Sequence, residues 1–189
     1  WYIKTLSQAV FLSHALPISL ICLGHLLEFS RTERLIGKES LEKLKNINII
    51  IFGLGGVGSY TAEALARCGI GKMTVVDKDT VDITNINRQL YALHSTIGKN
   101  KADVAKERIL DINPECCVTP VVKMYLPENS DEFNLSQYDY IIDAIDNVTA
   151  KIDLAVKSQS LGIPIIASMG TGNKLNPTAF KIADIYKTD

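Results

Sequence analysis

Residues 47–58, Ile-Asn-Ile-Ile-Ile-Phe-Gly-Leu-Gly-Gly-Val-Gly, constrain the fold more than any other stretch of the chain. The apolar, isoleucine-rich run reads as a strand covered on both faces of a parallel sheet. It breaks on Gly53, Gly55 and Gly58, spaced G-x-G-x-x-G, with Gly56 between them. A side chain there would block a tight turn and keep a phosphate off the backbone. Residues 59–68 then read as a helix, with Ala62, Leu65 and Ala66 at core spacing. The free N–H groups at its start favour an anion. This order predicts an α/β fold: a Rossmann-like, doubly wound, mostly parallel sheet with helices on both faces. It also predicts a nucleotide whose phosphates sit on the glycine turn. A strand-to-helix turn without a ligand is the alternative, and the downstream residues weigh against it.

A second strand, residues 72–76, ends at Asp77, 19 residues after Gly58. A carboxylate at that distance suits the hydroxyls of a ribose. The polar run that follows separates nucleotide classes. Asn85, Asn87, Arg88 and Gln89 crowd into five positions, where a dehydrogenase carries an ordinary loop. Arginine grips phosphate oxygens in bidentate fashion, although a turn built on Asn side chains is the plainer reading. Residues 101–112 read as an amphipathic helix with Lys99 and Lys101 at its start, where a bound anion would offset the helix dipole. Strands are expected at 118–122, 138–147 and 164–169, helices at 39–45 and 148–161, and a sixth strand or hairpin arm at 178–185. The fourth strand carries Asp143 and Asp146 towards its end, where open α/β sheets bind ligands. Asp146 is placed to hold Mg²⁺ against phosphate oxygens, and Asp143 reads equally well as structural.

A chain of 189 residues with 47% hydrophobic and 22% charged residues can bury a core of its own. The net charge of -1 supplies no global field towards nucleic acid or acidic lipid, and no DNA partner is expected. Cys22, Cys68, Cys116 and Cys117 contain no C-x-x-C pair, so no zinc knuckle is written in the sequence. A reduced, cytoplasmic protein fits that cysteine usage. Residues 1–27 differ from the rest. Their apolar part, 9–27, reads as a membrane-directed segment, as an amphipathic helix, or as sequence foreign to the domain, and membrane association through it stays open. Arg31 and Arg34 read as surface arginines.

The motifs Gly53-x-Gly55-Gly56-x-Gly58, Val76-Asp77-x-Asp79-x-Val81, Asn85-x-Asn87-Arg88-Gln89, Gly98-x-x-Lys101 and Asp143-x-x-Asp146-Asn147 occur in that order. From Phe29 to about Thr188 the chain resembles the superfamily of ubiquitin-activating enzymes and their bacterial ThiF-, MoeB- and HesA-like relatives. Within it, the chain is most similar to the tRNA threonylcarbamoyladenosine dehydratases, through residues 62–71, the 85–89 run, Lys151, and the stretches 172–178 and 183–188. The resemblance implies carboxylate activation by ATP with Mg²⁺. It implies ribose binding by Asp77, phosphate binding by Arg88 and Lys101, and metal binding by Asp146. Asp79, Asn85, Gln89 and Asn147 complete the nucleotide site. Arg31 falls where the family carries an arginine donated across a homodimer. The implied substrate is threonylcarbamoyladenosine next to the tRNA anticodon, closed to a cyclic form with release of AMP. Partners from the cysteine-desulfurase system are implied as well. The alternative within the class is adenylation of the C-terminal glycine of a ubiquitin-like sulfur carrier. Residues 28–189 are then an adenylating domain, expected to lack its C-terminal part, and residues 1–27 an extension without a counterpart.

Overall fold

A computed structural model describes residues 28–170, 176, 178 and 180–184. The readings made for 1–27 and for 185–188, and most of the 172–178 motif, lie outside the described residues. Five strands form one sheet: β1 (Asn48–Phe52), β2 (Lys72–Val76), β3 (Cys117–Val121), β4 (Tyr140–Asp143) and β5 (Ile165–Ala167). Their spatial order is β3-β2-β1-β4-β5, and every pair is parallel. Central β1 sets Phe52 opposite Val76 on one side and Asp143 on the other. The chain leaves β1 for β2 and later returns to its other edge at β4. That reversal leaves a crevice at the carboxyl ends of β1 and β4.

Alternation along β1 divides the core in two. Ile49 and Ile51 join Met73, Val75 and Val118 beneath α3 (Gly58–Arg67) and α4 (Lys101–Ile112). Ile50 and Phe52 join Ile141, Tyr125 and Phe133 beneath α5 (Val148–Leu161). The doubly wound, Rossmann-like architecture expected from the sequence is thus present. Pro120 sits inside β3, and its missing N–H is tolerated because β3 is a sheet edge.

Three local differences have physical causes. Residues 29–37, given no element from sequence, contain the helix α1 (Ser30–Ile36), which ends at Gly37 with φ of 84° before α2 (Lys38–Asn46). β4 is shorter than 138–147, because the Asp143 carboxylate accepts the Ile145 N–H at 3.0 Å and turns the chain. Residues 180–184 belong to no strand, and β5 has no partner on its outer edge among the described residues.

Candidate nucleotide site

The glycine turn explains each of its glycines locally. Gly53 has φ of 87°, and a Cβ on it would stand 2.7 Å from the Ala144 carbonyl oxygen. A Cβ on Gly58 would fall 1.8 Å from the Gly53 carbonyl oxygen. Gly53 therefore serves the turn, and Gly58 lets α3 approach β1. At Gly55 a Cβ would meet only Gln89 Nε2, at 3.9 Å. At Gly56 it would meet the Arg88 carbonyl at 3.4 Å and Arg88 Cγ at 3.6 Å. The 85–89 run thus lies directly over the turn, as a shared site requires.

Asp77 is tied to the same turn. Its Oδ2 accepts the Leu54 N–H at 2.7 Å and its Oδ1 accepts the Asp79 N–H at 2.9 Å. Each carboxylate oxygen keeps capacity for a further donor. Lys101 is buried, and its Nζ lies 3.2 Å from Asp79 Oδ2. Asp79, Asp77 and Lys101 accordingly share one side of the crevice.

The 85–89 run is shaped by a reciprocal cap. Asp82 Oδ1 accepts the Thr84 N–H at 2.8 Å, and Asn85 Oδ1 accepts the Asp82 N–H at 3.1 Å. Hydrogen bonds from the Thr84 hydroxyl and backbone hold the Asp82 carboxyl below its ordinary range. That support for the turn is present above the ordinary aspartate range and fades as pH falls through the lowered value. Buried Asn85 is thus part of the scaffold, which favours the plainer of the two readings for its side-chain oxygen. Arg88 is exposed, and its Nη1 donates to the Thr84 carbonyl at 3.0 Å and to Asn87 Oδ1 at 2.9 Å. One guanidinium nitrogen is so anchored, and the other N–H groups of the fork remain for an anion. Gln89 is buried beside Gly55.

Across the crevice, the loop after β4 crosses Gly53. Asp146 stands exposed on it, and Asn147 Oδ1 caps α5 by accepting the Ala150 N–H at 2.9 Å. No group of three or more metal-ligating side chains occurs among the described residues. A single exposed carboxylate fits a hard cation whose other ligands are water and phosphate oxygens, so the donor chemistry of Asp146 suits Mg²⁺. Asp143 is buried in an ion pair with Lys151, Nζ to Oδ2 3.0 Å, the structural role left open for it.

Arg31 does not join this cluster. It is exposed on α1. Phe29, two residues before it, packs where a Cβ on Gly69 would stand, at 3.4 Å. Gly69 follows the far end of α3, a ten-residue helix, so about 15 Å of helix separates that end from the glycine turn.

Ser59 adds a link that its sequence position does not reveal. It is fully buried, its Oγ donates to the Gly55 carbonyl at 2.6 Å, and it accepts the Leu90 N–H at 3.2 Å. One hydroxyl thereby joins the glycine turn to the end of the 85–89 run. A hydroxyl residue at the first turn of a helix is a legible capping signal, but the partner 31 positions away is not. Ser59→Ala leaves the Leu90 N–H without that acceptor and is expected to cost about 1–3 kcal/mol. Urea unfolding of wild type and variant checks it.

Known proteins resemble the chain in sequence and in fold. The ThiF family model matches residues 29–187. The tRNA threonylcarbamoyladenosine dehydratase of Bacillus subtilis is 53% identical over 161 residues, 85% of this chain and 63% of that protein. The chain therefore spans less than two thirds of that relative. A crystal structure of the E. coli tRNA N6-threonylcarbamoyladenosine dehydratase in complex with ATP superposes with a TM-score of 0.82 at 43% identity, over 85% of this chain and 66% of the other. The same enzyme with AMP gives 0.83 at 41% identity, over 92% and 70%. With its glycine turn, Asp77 and 85–89 run brought to one crevice, and with a match across nearly all of its described length, the chain belongs to the ThiF family.

Proposed function

We propose that this chain is the nucleotide-binding part of an ATP-dependent tRNA threonylcarbamoyladenosine dehydratase. The observation that carries the reading is the convergence of Arg88, Gln89 and the glycine turn, with Asp77 and Lys101 beside them, in a chain 53% identical to a dehydratase. A nicotinamide oxidoreductase would use the turn and Asp77 but has no task for Arg88, Lys101 or Asp146.

The substrate carries a threonine carboxylate, and losing water from it means expelling a carboxylate oxygen. Oxide is too poor a leaving group. The carboxylate oxygen attacks the α-phosphorus of ATP, pyrophosphate leaves, and a mixed anhydride with AMP forms. An internal nitrogen or oxygen, held close to the activated carbon, then closes the ring and displaces AMP, which takes the lost oxygen with it. The glycine turn and the α3 N-terminus receive the phosphates, Asp77 takes the ribose, and Arg88 and Lys101 answer the growing charge. Asp79, Asn85, Gln89 and Asn147 shape the walls. Asp146 would hold Mg²⁺, which would supply positive charge to offset that of the phosphates.

The decisive experiment gives full-length protein ATP, Mg²⁺ and tRNA bearing threonylcarbamoyladenosine, and weighs the digested nucleosides. The expected product is lighter by one water and appears with AMP. An unchanged base, together with adenylation of a sulfur-carrier C-terminal glycine, moves the assignment to the alternative reaction.

The site takes Arg31 from a second copy in this reading, since the arginine stands a helix length from its own glycine turn. Mixing Arg31→Ala protein with Asp146→Ala protein is expected to restore up to half of the wild-type rate per mixed dimer. One of the two hybrid sites is then intact. A verified heterodimer that stays inactive removes Arg31 from the mechanism.

A further inference from the structure

β4 ends on a carboxylate shut away from water. The Asp143 side chain is 0% exposed and that of Lys151, in the first turn of α5, is 12% exposed. Burying two ions is expensive, and well-packed apolar residues often stabilise a fold as well or better. The pair must then be judged by what else it holds. Asp143 Oδ1 accepts the Ile145 N–H at 3.0 Å, which bends the loop carrying Asp146. Lys151 Nζ, besides its 3.0 Å contact with Asp143, donates to the Ser168 carbonyl at 2.8 Å. The Ser168 N–H returns to the Asp143 carbonyl at 2.8 Å. One ammonium thus ties together two segments at the carboxyl edge of the sheet. The first is the Asp146 loop, which crosses Gly53. The second is the exit of β5, from which the chain runs on past Gly170. Two apolar side chains of the same volume would fill the space and make neither connection.

We propose that Lys151 is a positioning residue of the adenylation site, fixing the Asp146 loop against the exit of β5. The proposal rests on the ATP-dependent reading above. Lys151 makes no hydrogen bond to the glycine turn or to Arg88, so its loss acts on the geometry of the reacting groups rather than on nucleotide capture.

The test compares full-length wild type with Lys151→Met and Lys151→Arg, by site-resolved amide hydrogen exchange and by steady-state kinetics. Lys151→Met is expected to speed exchange at Ile145 and Ser168 by tenfold or more. The Gly53 and Ser59 amides should keep their wild-type rates. Its kcat should fall tenfold or more with KM for ATP within twofold, and Lys151→Arg, which keeps charge and donors, should recover most of the loss. If Lys151→Met does not fold, the double variant Asp143→Asn/Lys151→Met removes both charges together. It is read at Ser168 alone, whose N–H bonds the Asp143 main-chain carbonyl, because the Asp143 side chain itself accepts the Ile145 N–H. Wild-type exchange at Ile145 and Ser168 in the folded variant overturns the proposal, as does acceleration spread evenly over β1 and β2. Should the wild type prove inactive on tRNA, the functional reading fails, while the exchange contrast still decides the role of Lys151.

Discussion

Arg88→Ala in the full-length protein is expected to lower kcat of the proposed reaction by on the order of a hundredfold or more, the usual cost of removing one preorganised charge donor. That corresponds to roughly 2.7 kcal/mol of lost transition-state stabilisation. The effect follows from how the side chain is held. Its stem lies beside Gly56 and one guanidinium nitrogen is bonded to Thr84 and Asn87, so the chain's own groups aim the charge. Affinity for ATP should fall less than kcat, because charge on the phosphate oxygens grows as the acyl-adenylate forms. Single-turnover rates and a binding isotherm separate the two. Equal losses in both would make Arg88 a binding residue without a special role in the reaction.

Gly58→Ala should do more damage to the protein than to the chemistry. The new Cβ would sit 1.8 Å from the Gly53 carbonyl oxygen, which is backbone and has no rotamer through which to retreat. Either α3 moves away from β1 or the turn opens. The expected cost is about 3 kcal/mol or more of folding stability, at the upper end for overpacking. Protection by ATP in thermal unfolding should disappear with it. Gly55→Ala is the matched control, since its Cβ meets only the Gln89 amide at 3.9 Å. It should leave stability nearly unchanged and weaken ATP by narrowing the phosphate's approach. If the two substitutions cost the same stability, the division of labour between the glycines is wrong.

The parts of this site legible in the sequence are those that depend on neighbours along the chain. The isoleucine run, the glycine spacing and the acid at the end of β2 sit within 31 residues, and the helix 101–112 shows its own apolar periodicity. What stayed hidden needed distant contacts. α1 is seven residues long with no buried side chain and no side-chain cap, so nothing local marks it. Ser59 looks like an ordinary helix-start serine until Leu90 is brought beside it. Asp143 and Asp146 lie three positions apart and look alike as text. Only the fold makes one a buried partner of Lys151 and leaves the other in water. The sequence leaves Asn85 between a ligand contact and a turn, and only the fold shows its side-chain oxygen accepting the Asp82 N–H.

The Asp77 carboxylate bears on how the protein meets its nucleotide in time. Its two hydrogen bonds are to the Leu54 and Asp79 backbone N–H groups, so the chain's own groups hold the cradle in shape. Ordering entropy that a floppy loop would surrender at each encounter is already spent. Association should then follow a single kinetic phase, with a rate linear in ATP concentration and no plateau from loop closure. It follows too that an Asp77 variant changes two things at once, the proposed ribose acceptor and the order of the turn. Weakened binding in such a variant measures their sum, and a 2′-deoxy nucleotide on the wild-type protein isolates the first.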